Sequence, residues 1–294
     1  MRNFKKLTSK IALSMLALAI AASANHFQLM YTPETTLQSG RTVKMIHAMI
    51  HPYTDRKIMD MGKQHKGDKD FLEPEEFFVV HKGIKTDLME TLEPILFQGK
   101  KRAGKGYRSK HKLKKMGDHL FVLKPAPYYS TLEGIYLKQI TKLLVNIAGK
   151  PTDWDRELGL EAEIIPLSKP YGIWEGSSFS AMVKAEGIPV PFAQIEVEYL
   201  NSEIDIENLK VGAFKTMAKN QNFKTIEFKA NERGEFTFHL PKEGWWGFRA
   251  KHIGLKKDYK EKELSIEGII WVQVKKVEIN KTERAKSSED NNSQ

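Results

Sequence analysis

Apolar residues along this chain recur at every second position in short runs, the period of a half-buried β-strand, and few windows show helical spacing. Thr42-Val43-Lys44-Met45-Ile46-His47-Ala48-Met49-Ile50 is one such run. Glu76-Phe77-Phe78-Val79-Val80-His81 leads to a turn at Lys82-Gly83, and Thr86-Asp87-Leu88 follows. Residues 119–123 and 140–147 complete a first group. A second group comprises 161–166, 180–184, 194–199, 225–229, 235–240 and 268–277. Asn231-Glu232-Arg233-Gly234 has the residues of a hairpin loop, because Asn and Gly tolerate positive φ. Residues 153–159 read as a linker with one turn of helix. Strands at such spacing predict an all-β protein of two β-sandwich domains, immunoglobulin- or transthyretin-like. The expected boundaries are 25–152 and 166–279, joined by a linker over 153–165 and followed by a disordered polar tail over 280–294.

The first residues break this pattern. Arg2, Lys5, Lys6 and Lys10 precede an apolar run over 11–22, and Ala22-Ser23-Ala24 supplies small residues at −3 and −1. That is the plan of a cleaved secretory signal over residues 1–24, with Asn25 as the new N-terminus. The run is short for a membrane span, so a periplasmic protein is expected. Removing the four positive charges takes the formal charge from +10 to +6, too small an excess to imply nucleic-acid binding. The chain has no cysteine, which removes disulfides and thiolate chemistry from consideration. No His-Glu-x-x-His, Gly-x-Ser-x-Gly or phosphate-cradling loop occurs, so no enzyme activity is expected.

Soft and borderline metal ligands concentrate in the first half: His26, His47, His51, His65 and His81 with Met30, Met45, Met49, Met59 and Met61. Imidazole suits nickel, copper and zinc; thioether favours Cu(I). If cleavage leaves Asn25 first, its α-amine, the His26 amide nitrogen and the His26 imidazole form fused chelate rings. Asp60 is a further oxygen donor or an acceptor for an imidazole N–H. Against this, His47, Met45 and Met49 fit ordinary strand packing, and His81 fits a turn. Nine Lys or Arg residues lie from Lys100 to Lys115, read either as a solvated hairpin loop or as a contact for anionic membrane. Trp245 and Trp246 are adjacent, so one should face the core and the other offer a surface binding position.

Several short stretches together carry a resemblance. They are His26-Phe27-Gln28-Leu29, His51-Pro52, Met59-Asp60-Met61, Pro125-Ala126-Pro127-Tyr128-Tyr129, Glu163-Ile164-Ile165-Pro166-Leu167, Lys169-Pro170-Tyr171-Gly172, Gly187-Ile188-Pro189-Val190, Gly244-Trp245-Trp246-Gly247-Phe248 and Trp271-Val272. In this order they resemble a family of uncharacterised domains assigned to the periplasmic component of nickel/cobalt transport systems (NikK-like). The resemblance implies two β-sandwich units, capture of Ni(II) or Co(II), and a membrane transporter of the ABC or energy-coupling type as partner. It also places His51 beside His26 as the fourth ligand. One departure is Tyr53-Thr54-Asp55-Arg56-Lys57, basic where the family carries an acidic, Gly-rich segment. The alternatives are a structural or adhesive envelope protein binding protein or glycan through Trp245, Trp246 and the basic stretch, and a copper-handling protein using Met59 and Met61.

Overall fold

A computed structural model describes residues 26–54, 57–64 and 71–276. The signal sequence, Asn25, His65 and the 280–294 tail lie outside the described residues. Among the described residues the regular structure is β-strand, apart from two single-turn 3-10 segments at Met89–Thr91 and Gln221–Phe223. No helix there is long and apolar enough to cross a membrane.

The described strands form three sheets in three layers. The middle one has twelve strands, and its main path runs Thr225–Lys229, Gln194–Tyr199, Gly244–Ala250, Lys262–Lys275, Ile135–Ile147, Gly117–Lys124, Glu76–His81, Ile84–Asp87. Six strands cover one face, in the order Phe27–Tyr31, Thr42–Ile50, Ala103–Lys112, Glu93–Gln98, Lys210–Phe214, Ser202–Asp205. Four strands around Ser178–Ala185 cover the other. The result is two β-sandwiches back to back that share their middle layer.

Alternation along the middle strands feeds two cores at once. In Lys262–Lys275, Ile269 and Trp271 enter one core while Ile270, Val272 and Val274 enter the other. In Glu76–His81, Phe77 faces the six-stranded layer and Phe78 and Val80 the four-stranded one. The halves join where Ile135–Ile147 and Lys262–Lys275 pair in parallel, from Tyr136↔Leu264 to Leu143↔Trp271. Both strands are buried on two faces, as parallel pairs require. Their polar residues are therefore buried and partnered: Lys142 pairs with Glu163 at 2.7 Å, and Asn146 donates to Asp118 at 2.6 Å.

Three local readings change. Thr225–Lys229 and Glu235–His239 flank a real turn, with Gly234 donating to the Asn231 carbonyl, but they do not form a hairpin. The first pairs with Gln194–Tyr199 in the middle sheet and the second with Ser178–Ala185 in the outer one, so the turn passes the chain between layers. The 153–159 segment contains no helix. Its backbone is instead gathered by the Asp118 carboxylate, which accepts from the amides of Thr152, Asp153 and Trp154. The basic stretch is not a loop: Ala103–Lys112 is an interior strand of the six-stranded layer, and Arg108, Lys110 and Lys112 alternate outward.

Candidate metal site

Strands Phe27–Tyr31 and Thr42–Ile50 are antiparallel neighbours in a register that opposes Phe27 to Ile50. The next rung beyond that pair is His26 and His51. Their ring centres stand 4.2 Å apart with planes at 52°, and the Tyr128 ring meets His26 edge-on at 6.2 Å. Burial first, then the nearby His51 and Arg249, lower the His26 imidazole to about 3. His26 is therefore neutral, with a nitrogen lone pair, throughout the physiological range.

The backbone beneath His26 is held from within the molecule. The Gln139 side chain donates to the His26 carbonyl and accepts from the Gln28 amide, both at 2.8 Å. Gln139 also donates to Glu267 at 2.9 Å, and Glu267 receives two hydrogen bonds from Arg249. The segment carrying His51 is fixed from the second half of the chain. The Asn201 amide donates to the Pro52 carbonyl at 2.9 Å, its side chain to the Tyr53 carbonyl, and the Tyr53 amide to Glu198.

The other sequence candidates are placed differently. Asn25 lies outside the described residues. Asp60 accepts from Arg102 at 2.6 Å and from the Lys105 amide at 2.9 Å, and Lys63 stands at 3.6 Å, so its carboxylate is already neutralised. Met61 is buried and its sulfur receives the Gln28 side-chain amide. Met59 pairs through its backbone with Met49, and both line a cavity of about 310 Å³ shared with Asp60, Lys63, Arg102 and Tyr128. Among the described residues no three His, Cys, Asp or Glu side chains converge on one point, so Asp60 does not join the histidine pair. The expectation of a surface-binding tryptophan fails: Trp245 and Trp246 are both buried. The sheet that holds them is covered on both faces, so each of two successive side chains enters a core.

Sequence reasoning missed two further pairs. His47 and His111 both contact the Ser109 hydroxyl at 2.9 Å, deep in the core beside Phe77. His81 stacks on His119 at 4.3 Å, and each ring is bonded to a backbone carbonyl, of Asp118 and Lys115 respectively. His47, His81, His111 and His119 sit in strands that cross only through tertiary pairing, and spacing along the chain carries no trace of it.

Among curated proteins none matches this sequence. Solved structures give remote likenesses. The D0-D1 domain of intimin is 12% identical, with 85% of this chain and 100% of that one covered and a TM-score of 0.21. Dimeric latent PorU from Porphyromonas gingivalis is 11% identical, covering 84% of this chain and 20% of that one, TM-score 0.21. The fibronectin(III)-like modules of Clostridium thermocellum CbhA are 8% identical, covering 84% and 95%, TM-score 0.18. Superpositions at these scores carry no argument about function. One family model matches residues 23–254, most of the chain and all of the histidine sites just described: the protein belongs to the family of the domain of unknown function DUF4198.

Proposed function

We propose that this is an exported, non-enzymatic envelope protein that captures Ni(II) or Co(II) in the periplasm and serves a membrane transporter. The supporting observation is the contact between His26 and His51. With metal–nitrogen bonds of about 2.0 Å and about 1.1 Å from nitrogen to ring centre, two imidazoles at right angles on one ion bring their ring centres to about 4.4 Å. A tetrahedral pair would stand at about 5.1 Å on the same arithmetic. The 4.2 Å spacing fits the right-angled arrangement, which square-planar, nitrogen-rich coordination uses. Two imidazoles alone hold a divalent ion weakly. The proposed remaining donors are the α-amine of Asn25 and the His26 amide nitrogen, both available once the signal is removed.

The test is calorimetry on protein recovered after export, its N-terminus verified by sequencing. Sub-micromolar Ni(II) or Co(II) binding, lost in His26→Ala and in His51→Ala, supports the reading. Absence of heat, spectral change and thermal stabilisation with either ion overturns it. Preference for Cu(I), lost on changing Met59 and Met61, would make it a copper carrier instead. The adhesive alternative loses its aromatic platform with the burial of both tryptophans.

A further inference from the structure

We infer that Gln139 is the positioning residue of the His26–His51 pair, an assignment that rests on the metal-capture reading and adds to it the device that holds the site in shape. His26 stands at the end of the edge strand of the six-stranded layer, bonded through the backbone to Thr42–Ile50 on one side only. Such an end frays unless something grips its free side. The Gln139 side-chain amide supplies that grip. Its oxygen takes the Gln28 N–H and its nitrogen gives to the His26 carbonyl, so one primary amide stands in for the missing strand neighbour.

The orientation of that amide is locked. Its second N–H is given to Glu267, whose carboxylate is held by Arg249 at 2.8 and 2.9 Å. A flipped amide would turn its oxygen against that carboxylate. Arg249 also donates to Glu196 at 3.0 Å, which Lys251 approaches at 2.7 Å. The Trp271 indole N–H donates to the Gln28 carbonyl at 2.9 Å. Gln139, Glu267 and Glu196 are fully buried and Arg249 nearly so. Well-packed apolar residues in place of a buried ion pair often serve stability equally well, so we read this network as setting the geometry of the Gln139 amide.

The variants are Gln139→Met, which keeps the shape and removes all three side-chain hydrogen bonds, and Gln139→Glu, which keeps an acceptor for Gln28. In Gln139→Glu the new carboxyl group faces Glu267, and the amide donor to His26 is lost. The control is Asn146→Leu, which deletes another buried side-chain amide of the same strand, away from the histidine pair. Three quantities are read on each: the nuclear Overhauser contact between the His26 and His51 rings without metal, the Ni(II) dissociation constant, and the melting temperature. Both Gln139 variants are expected to lose the ring contact and to bind Ni(II) 10- to 100-fold more weakly. The control is expected to lose comparable stability while keeping both site readouts. The inference is overturned if folded Gln139→Met or Gln139→Glu keeps the wild-type ring contact, or if the control loses it equally. Wild-type protein that shows the contact but binds no Ni(II) or Co(II) overturns the metal reading alone.

Discussion

Acid should unfold this protein through the His47–Ser109–His111 cluster. His47 is fully buried against Phe77, and His111 packs on Phe77 and Phe121. Burial lowers His47 to about 3, with His111 adding to the effect, and burial lowers His111 to about 4. In the unfolded chain both titrate near 6.5. Between those values the unfolded state binds protons that the native state refuses. Unfolding free energy therefore falls as pH falls below about 6.5, and nothing is lost above it. At pH 5 each histidine contributes a loss of about 2 kcal/mol, so the pair removes about 4 kcal/mol between pH 7 and pH 5. A domain holds roughly 5–15 kcal/mol in all, so this is a large share. The assay is urea unfolding at a series of pH values for the wild type and His111→Leu, in which Ser109 still bonds His47. The variant should lower the slope of free energy against pH by about 1.2 kcal/mol per unit around pH 5.5. Identical slopes, or a native His111 that titrates near 6.5 by NMR, would refute the reasoning.

Further outcomes follow from other buried groups. Burial raises the Glu198 carboxyl to about 8, so native Glu198 keeps a proton that the unfolded chain releases above about 4.5. Stability should fall as pH rises from 4.5 to 8, and Glu198→Gln should flatten that limb and gain about 1–3 kcal/mol at pH 8 by urea unfolding. A Cβ on Gly247 would lie 2.8–2.9 Å from the Trp271 ring, which has no room to move, so Gly247→Ala should cost about 1–3 kcal/mol and lower the melting temperature. Glu163→Gln leaves the Lys142 ammonium buried without its counter-charge and should cost about 3–5 kcal/mol, part of which the added Lys142→Met restores in chemical denaturation.

The sequence by itself determined that the described part of the chain is built of β-strands, and where about half of them lie, though not Ala103–Lys112 or Gly244–Ala250. Period-2 alternation and turn residues are local, so Thr42–Ile50, Glu76–His81 and Gln194–Tyr199 are legible without the fold. The type of turn is local too, since Lys82 and Gly83 both take positive φ in the tight link between Glu76–His81 and Ile84–Asp87. The site was half legible. His26 and His51 stand out as ligand types, but only the Phe27↔Ile50 register makes them neighbours, and a slip of one residue would turn one of them to the opposite face. What lay beyond the sequence is pairing at long range. Nothing local to 231–234 says that the strands on either side go to different layers, or that Ile135–Ile147 joins Lys262–Lys275 in parallel. That joint gives the middle sheet two covered faces. It is why both adjacent tryptophans are buried and why Gln139, Arg249 and Glu267 must find one another. Alternation reports that a residue faces one side or the other; only the packed layers decide whether that side is water or core.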